Sequence, residues 1–135
     1  MRLRQWQEEY SVGVKELDDQ HRTLLNIINT LVEKQSDFEN QKYFTTNLPS
    51  LIHYAYTHFA TEEGYLHKAN FPDLQQHILE HVDFIMQTLS LSEKSKTHDM
   101  TSRKELLDFL EKWYALHVLG SDRHYISALT KAGFK

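Results

Sequence analysis

Residues 102–122, SRKELLDFLEKWYALHVLGSD, carry the period of an α-helix and then break it. Ser102-x-x-Glu105 has the form of a capping box, in which a hydroxyl and a carboxylate each accept a hydrogen bond from a backbone N–H at the helix start. Leu106, Leu107, Phe109, Leu110 and Trp113 continue the pattern. His117 and Asp122, both of metal-ligating type, then stand five residues apart with Gly120 between them. On a regular helix that separation leaves the two side chains about 140° apart around the axis, against about 40° for i and i+4 partners. Either the pairing is accidental or the helix opens there. A π-like turn, or a break near Leu119-Gly120-Ser121, would bring Asp122 round to the side of His117, and such turns concentrate at functional sites.

Three similar runs precede this one. The first reads from about Asp18 to Asp37, with Leu24, Leu25, Ile28, Leu31 and Val32 on one stripe. The second ends near Ala69 and carries Leu51, Ile52, Ala55, Phe59 and Leu66. It begins either near Gln41, with Pro49 as a kink, or at a cap made by Asn47-Leu48-Pro49. Asn70-Phe71-Pro72 breaks the pattern, and a third helix follows to about Ser92 with Ile78, Val82, Ile85 and Leu89 inward. Four glycines and two prolines in 135 residues leave little material for the turns of a β-protein. Helices over about 18–37, 41–69, 72–92 and 102–120, joined by short connections, predict an all-α, antiparallel up-down-up-down four-helix bundle. Residues 1–17 form an N-terminal arm anchored by Trp6, and a short helical tail closes the chain, so that 1–135 is one domain.

A chain of 135 residues buries roughly two thirds of its unfolded surface and folds without staples. The absence of cysteine excludes thiolate zinc sites, iron–sulfur clusters and disulfide frameworks. MRLRQWQEEY has no apolar h-region, and no run approaches the length of a membrane span, so the expected location is cytoplasmic and not integral to a membrane. A net charge of −4 argues against nucleic acid as a partner.

The unusual feature is nine histidines. His58-Phe-Ala-Thr-Glu62 and His77-Ile-Leu-Glu-His81 each place two ligand types one turn apart on a helix face. Singly these pairs mean little, since roughly 1.3 His-to-acid pairs per spacing arise by chance. Depth is the stronger argument. His21, Glu62, His58, His77 and His81 lie near one end of the bundle, and the fourth helix has descended about 22 Å toward that end by His117. Five imidazoles and two carboxylates are too many ligands for one first-row ion. A pair of divalent ions sharing two carboxylates and a hydroxide leaves a net charge of only about +1, which a helical core tolerates.

The ordered pattern His21, HFATE, HILEH, HVLGSD, preceded by VGVKELDDQH, resembles the single-domain bacteriohemerythrins over nearly the whole chain. The resemblance implies a non-haem di-iron centre: His77, His81 and His117 on one iron, His21 and His58 on the other, with Glu62, Asp122 and an oxo or hydroxo group bridging. It also implies reversible dioxygen binding at the open position of the two-histidine iron, serving oxygen carriage, storage, delivery or sensing. A signal, or oxygen itself, would pass to a protein partner on another chain. No catalytic residue is assigned and the protein is not expected to be an enzyme. Carboxylate-rich di-iron oxidases carry Glu-x-x-His, and no glutamate here is followed by histidine three positions on.

Two other readings compete. HILEH matches the H-x-x-E-H signature of zinc metallopeptidases, with Glu80 as general base, but leaves five further ligands unexplained. Iron storage or detoxification would use the same donors. His53, His67, His98 and His124 fit neither ligand set and read as structural or surface residues. Leu24, Phe59, Trp113 and Val118 read first as core packing and second as the wall of an oxygen pocket.

Overall fold

The chain is described by a computed structural model covering residues 4–34, 41–95 and 100–135. Four helices, α1 (Lys15–Lys34), α2 (Gln41–Lys68), α3 (Leu74–Ser95) and α4 (Met100–Trp113), pack in chain order, and α4 closes the ring against α1. The architecture is the expected antiparallel four-helix bundle, with no strand among the described residues. On α1, Leu24, Leu25, Ile28, Leu31 and Val32 are all buried. The helix starts three residues ahead of Asp18, whose carboxylate instead accepts the Val12 amide at 2.8 Å and the Ser11 hydroxyl, tying down the arm. Its expected end at Asp37 lies outside the described residues. Trp6 anchors the arm as expected, packing on the core with the Arg22 guanidinium 5.0 Å from its ring.

Pro49 lies inside α2, so the helix runs through the proline and does not begin at it. The cost is one backbone bond, because Pro49 has no N–H to offer the Thr45 carbonyl. At the other end, Asn70 takes a left-handed φ of 54°, the Phe71 amide reaches the Leu66 carbonyl at 3.0 Å and the Asn70 amide reaches that of His67 at 3.1 Å. This is a Schellman stop with asparagine in the αL position, completed by burial of Leu66 beside Phe71. Ser102 does not cap α4, since that helix already includes Met100.

The inner face of α3 departs from expectation. Its buried positions are His77, His81, Phe84, Thr88, Ser92 and Ser95. Val82 and Leu89 are 51% and 45% exposed, and Ile78 and Ile85 are half-buried. The cause is geometric: once His77 and His81 point inward, residues one step along the chain lie about 100° round the axis. Two apolar clusters result. The larger, from Leu24 and Leu31 through Phe84 to Leu110 and Trp113, fills the bundle, and a smaller one joins Val12, Val14 and Leu17 to Leu66, Tyr125 and Leu129. The histidines lie between them.

Candidate metal centre

After Trp113 the chain forms one π-helical turn, Tyr114–Val118, marked by the Leu119 amide bonding back five residues to the Tyr114 carbonyl at 3.2 Å. Gly120 follows, and a 3₁₀ turn over Ser121–Tyr125 leads into the short helix α5 (Ile126–Lys131). A Cβ on Gly120 would stand 2.4 Å from the Leu116 carbonyl oxygen, so only glycine permits this turn. Widening and break together bring Asp122 Oδ1 to 3.0 Å from His117 Nε2.

All seven candidate ligands are buried: His21, His58, Glu62, His77, His81, His117 and Asp122. The five imidazoles turn Nε2 toward one another and toward the two carboxylates. Glu62 Oε1 lies 2.6 Å from His77 and 3.0 Å from His81, while its Oε2 lies 3.2 Å from His21 and 3.4 Å from His58. Asp122 divides the same way, with Oδ1 3.0 Å from both His77 and His117 and Oδ2 3.1 Å from His21. The donors therefore fall into two groups, His77, His81 and His117 on one side and His21 and His58 on the other, each carboxylate offering one oxygen to each side. Glu62, His77, His81 and His117 form one set able to hold a cation, and His21, His58 and Glu62 a second.

The donor set fits metal ions. Both Asp122 oxygens are buried and close to imidazole nitrogens yet form no hydrogen bond, because the lone pairs converge on shared space more than on one another. Two buried carboxylates also demand positive charge. Burial opposes protonation of His21 and His77, but Asp122 and Glu62 outweigh it and raise both to about 9. Against the same burial, Asp122 raises His117 well above its ordinary value, whereas at His58 burial prevails and lowers it. Burial pushes Glu62 and Asp122 upward, but the imidazoles hold both below the usual carboxylate range. Without a cation, protons do the neutralising.

Neighbours complete the site. Phe59 stacks on His81 with centroids 3.9 Å apart, and Trp113 stacks on His117 at 4.3 Å. Leu24, Phe59, Trp113 and Val118 are all buried in the larger cluster. His53, His67 and His124 are exposed and away from the centre, and His98 lies outside the described residues. Several contributors had gone unassigned. The buried Tyr125 hydroxyl donates to Glu62 Oε2 at 3.0 Å, and that of Tyr114 donates to the His21 carbonyl at 2.9 Å. Gln20 and Glu63 stand behind His58 and His81. Glu80 stands behind His117, shared with the Ser121 hydroxyl, and not among the converging donors where a general base would be. For Gln20 and Glu63 the only signal was their position next to a candidate ligand in the chain, which on a helix points them elsewhere, and for Glu80 the HILEH motif suggested a different role; each serves a histidine on a facing element.

A four-helix bundle whose interior gathers five imidazoles and two carboxylates defines a cation-binding helical protein. Residues 12–129 match the hemerythrin HHE cation binding domain, and the chain belongs to the hemerythrin family. It is 34% identical over 125 residues to a bacteriohemerythrin of Clostridium acetobutylicum, covering 90% of this chain and 97% of that protein. A hemerythrin-like protein of Naegleria fowleri is 29% identical over 124 residues, covering 92% of each. The crystal structure of a wild-type hemerythrin superposes with a TM-score of 0.82 at 25% identity, covering 96% of this chain and 99% of that one.

Proposed function

We propose that this protein binds dioxygen reversibly at a non-haem di-iron centre. The division of Glu62 and Asp122, one oxygen of each toward each histidine group, is the observation that carries this reading. His77, His81 and His117 would hold one iron and His21 and His58 the other, with the two carboxylates and an oxo or hydroxo group between them. The two-histidine side has one protein donor fewer and would leave room there for an external ligand. When bound, the iron pair supplies the electrons that oxygen binding requires.

The chain's own residues do the rest. Glu62 and Asp122 nearly balance the cationic charge, and five neutral imidazoles leave few anions to support strongly oxidising states, which favours binding over catalysis. Tyr125 retains its proton, since burial and the adjacent carboxylates raise its pKa well above the ordinary value, and it holds Glu62 in place. Leu24, Phe59, Trp113 and Val118 exclude water and protons from the pocket. Carriage, storage, delivery to a partner or sensing are all uses of such a site, and a cytoplasmic location is consistent with a described chain in which no helix is long and apolar enough to cross a membrane. The peptidase reading loses its base, because Glu80 faces the back of His117.

The test is to purify the protein, determine its metals, reduce it without air, admit oxygen and record the visible spectrum over several cycles. Two irons per chain and a band that appears and disappears reversibly are expected. One zinc and no iron, with peptidase activity abolished by Glu80→Gln, would overturn the reading.

A further inference from the structure

The two halves of the centre differ in what stands behind their imidazoles. On the three-histidine side, two of the three imidazoles are backed by a carboxylate: His81 Nδ1 lies 2.7 Å from Glu63 Oε2. His117 Nδ1 lies 3.4 Å from Glu80 Oε1, an oxygen that the Ser121 hydroxyl fixes at 2.7 Å. On the two-histidine side, His58 Nδ1 lies 2.5 Å from the neutral amide oxygen of Gln20, and Nδ1 of His21 is buried with no hydrogen-bond partner. The shared carboxylate adds to the imbalance. Tyr125 donates to Glu62 Oε2, the oxygen on the two-histidine side, and draws charge from it.

A carboxylate that accepts the Nδ1–H of an imidazole holds the tautomer whose Nε2 lone pair is free, fixes the ring plane and makes the ring a stronger donor. A neutral amide orients the ring without adding charge. The Glu63 and Glu80 side chains are 30% and 32% exposed, so water screens their charges incompletely. We propose that Glu63 and Glu80 are positioning residues that make the two cation sites unequal: the three-histidine side retains its ion tightly, and the side backed by Gln20 is labile. The proposal rests on the two-cation reading above. The ion that lacks a protein ligand is then also the one with the weaker donors, which suits it to accept an external ligand while its neighbour anchors the pair.

The test uses full-length protein loaded anaerobically with ferrous iron and equilibrated with a graded series of EDTA concentrations, reading the iron retained per chain. The parent should release iron in two stages with a plateau at one iron. Glu63→Gln and Glu80→Gln keep shape and remove charge; each should move the later stage to about 10- to 100-fold less chelator and shorten the plateau. Gln20→Glu should move the earlier stage to more chelator, a gain that a residue merely supporting the fold would not produce. Single-stage release of two irons by the parent overturns the proposal alone, as does a two-stage curve that the three variants leave unchanged. If a glutamine variant fails to fold, Gln20→Glu decides, and an unmoved first stage overturns the proposal. A parent that loads only one iron overturns the two-cation reading and this proposal with it.

Discussion

Leu24 lies one helical turn beyond His21 and is fully buried in the larger apolar cluster, and we propose that its side chain covers the two-histidine side. On that proposal an apolar wall would slow entry of the water and protons that drain electrons from an oxygenated centre. Leu24→Ser is therefore expected to keep both irons and still take up oxygen, but to autoxidise severalfold faster. The decay of visible absorption in air measures this, with Leu31→Ser, equally buried but farther along α1, as the control. Equal decay would reduce Leu24 to packing. The ligands make a sharper contrast. His117→Ala and Asp122→Ala should lower the iron content from two to one or none per chain, while His124→Ala, an exposed position, leaves it unchanged. Elemental analysis decides, and equal loss from all three variants would end the assignment.

Among the elements, the turn after α4 matters most, because Asp122 reaches the centre only through the π turn and the break at Gly120. In Gly120→Ala the new methyl carbon would fall 2.4 Å from the Leu116 carbonyl oxygen, so the backbone must shift. A loss of about 1–3 kcal/mol in stability is expected from such crowding, together with lower iron retention. Denaturant unfolding of the metal-free variant separates the two effects, and unchanged stability with full iron would show that the turn accommodates a side chain. Helix α3 offers the complementary test. Phe84 is fully buried and Met86 is 63% exposed. Phe84→Ala should cost about 3–5 kcal/mol, whereas Met86→Lys should stay within about 0.5 kcal/mol. The reverse order would mean that Phe84 does not mark the inward face of α3.

For the whole molecule, the buried charges link stability to pH. His21 and His77 rise from 6.5 to about 9 in the folded chain, so their contribution is complete below 6.5 and is lost as pH climbs through 9. Glu62 and Asp122 are lowered, so theirs is present above the unfolded values of 4.5 and 3.8 and lost in acid. Metal-free protein should thus be most stable between these limits and lose at least about 4 °C in Tm from pH 6.5 to 9, the equivalent of about 1 kcal/mol in a domain of this size. Iron-loaded protein should not show that fall, because the cations hold the imidazoles neutral. Calorimetry on both forms checks this, and parallel curves would mean that protons and metal do not share the site.

Helical periodicity, the scarcity of glycine and proline, and the spacing of His58, Glu62, His77 and His81 determine the bundle and most of the candidate ligand cluster, because such patterns are local to one helix. The same locality explains what only the tertiary structure decided. Which face of α3 turns inward depends on the imidazoles that facing helices must meet, so Val82 and Leu89 lie outside although their hydrophobicity argued otherwise. Asp122 joins His117 through a turn that no regular period describes. Tyr125, Gln20, Glu63 and Glu80 touch the centre across 63, 38, 18 and 37 residues of chain, and contacts of that kind exist only once the helices have packed.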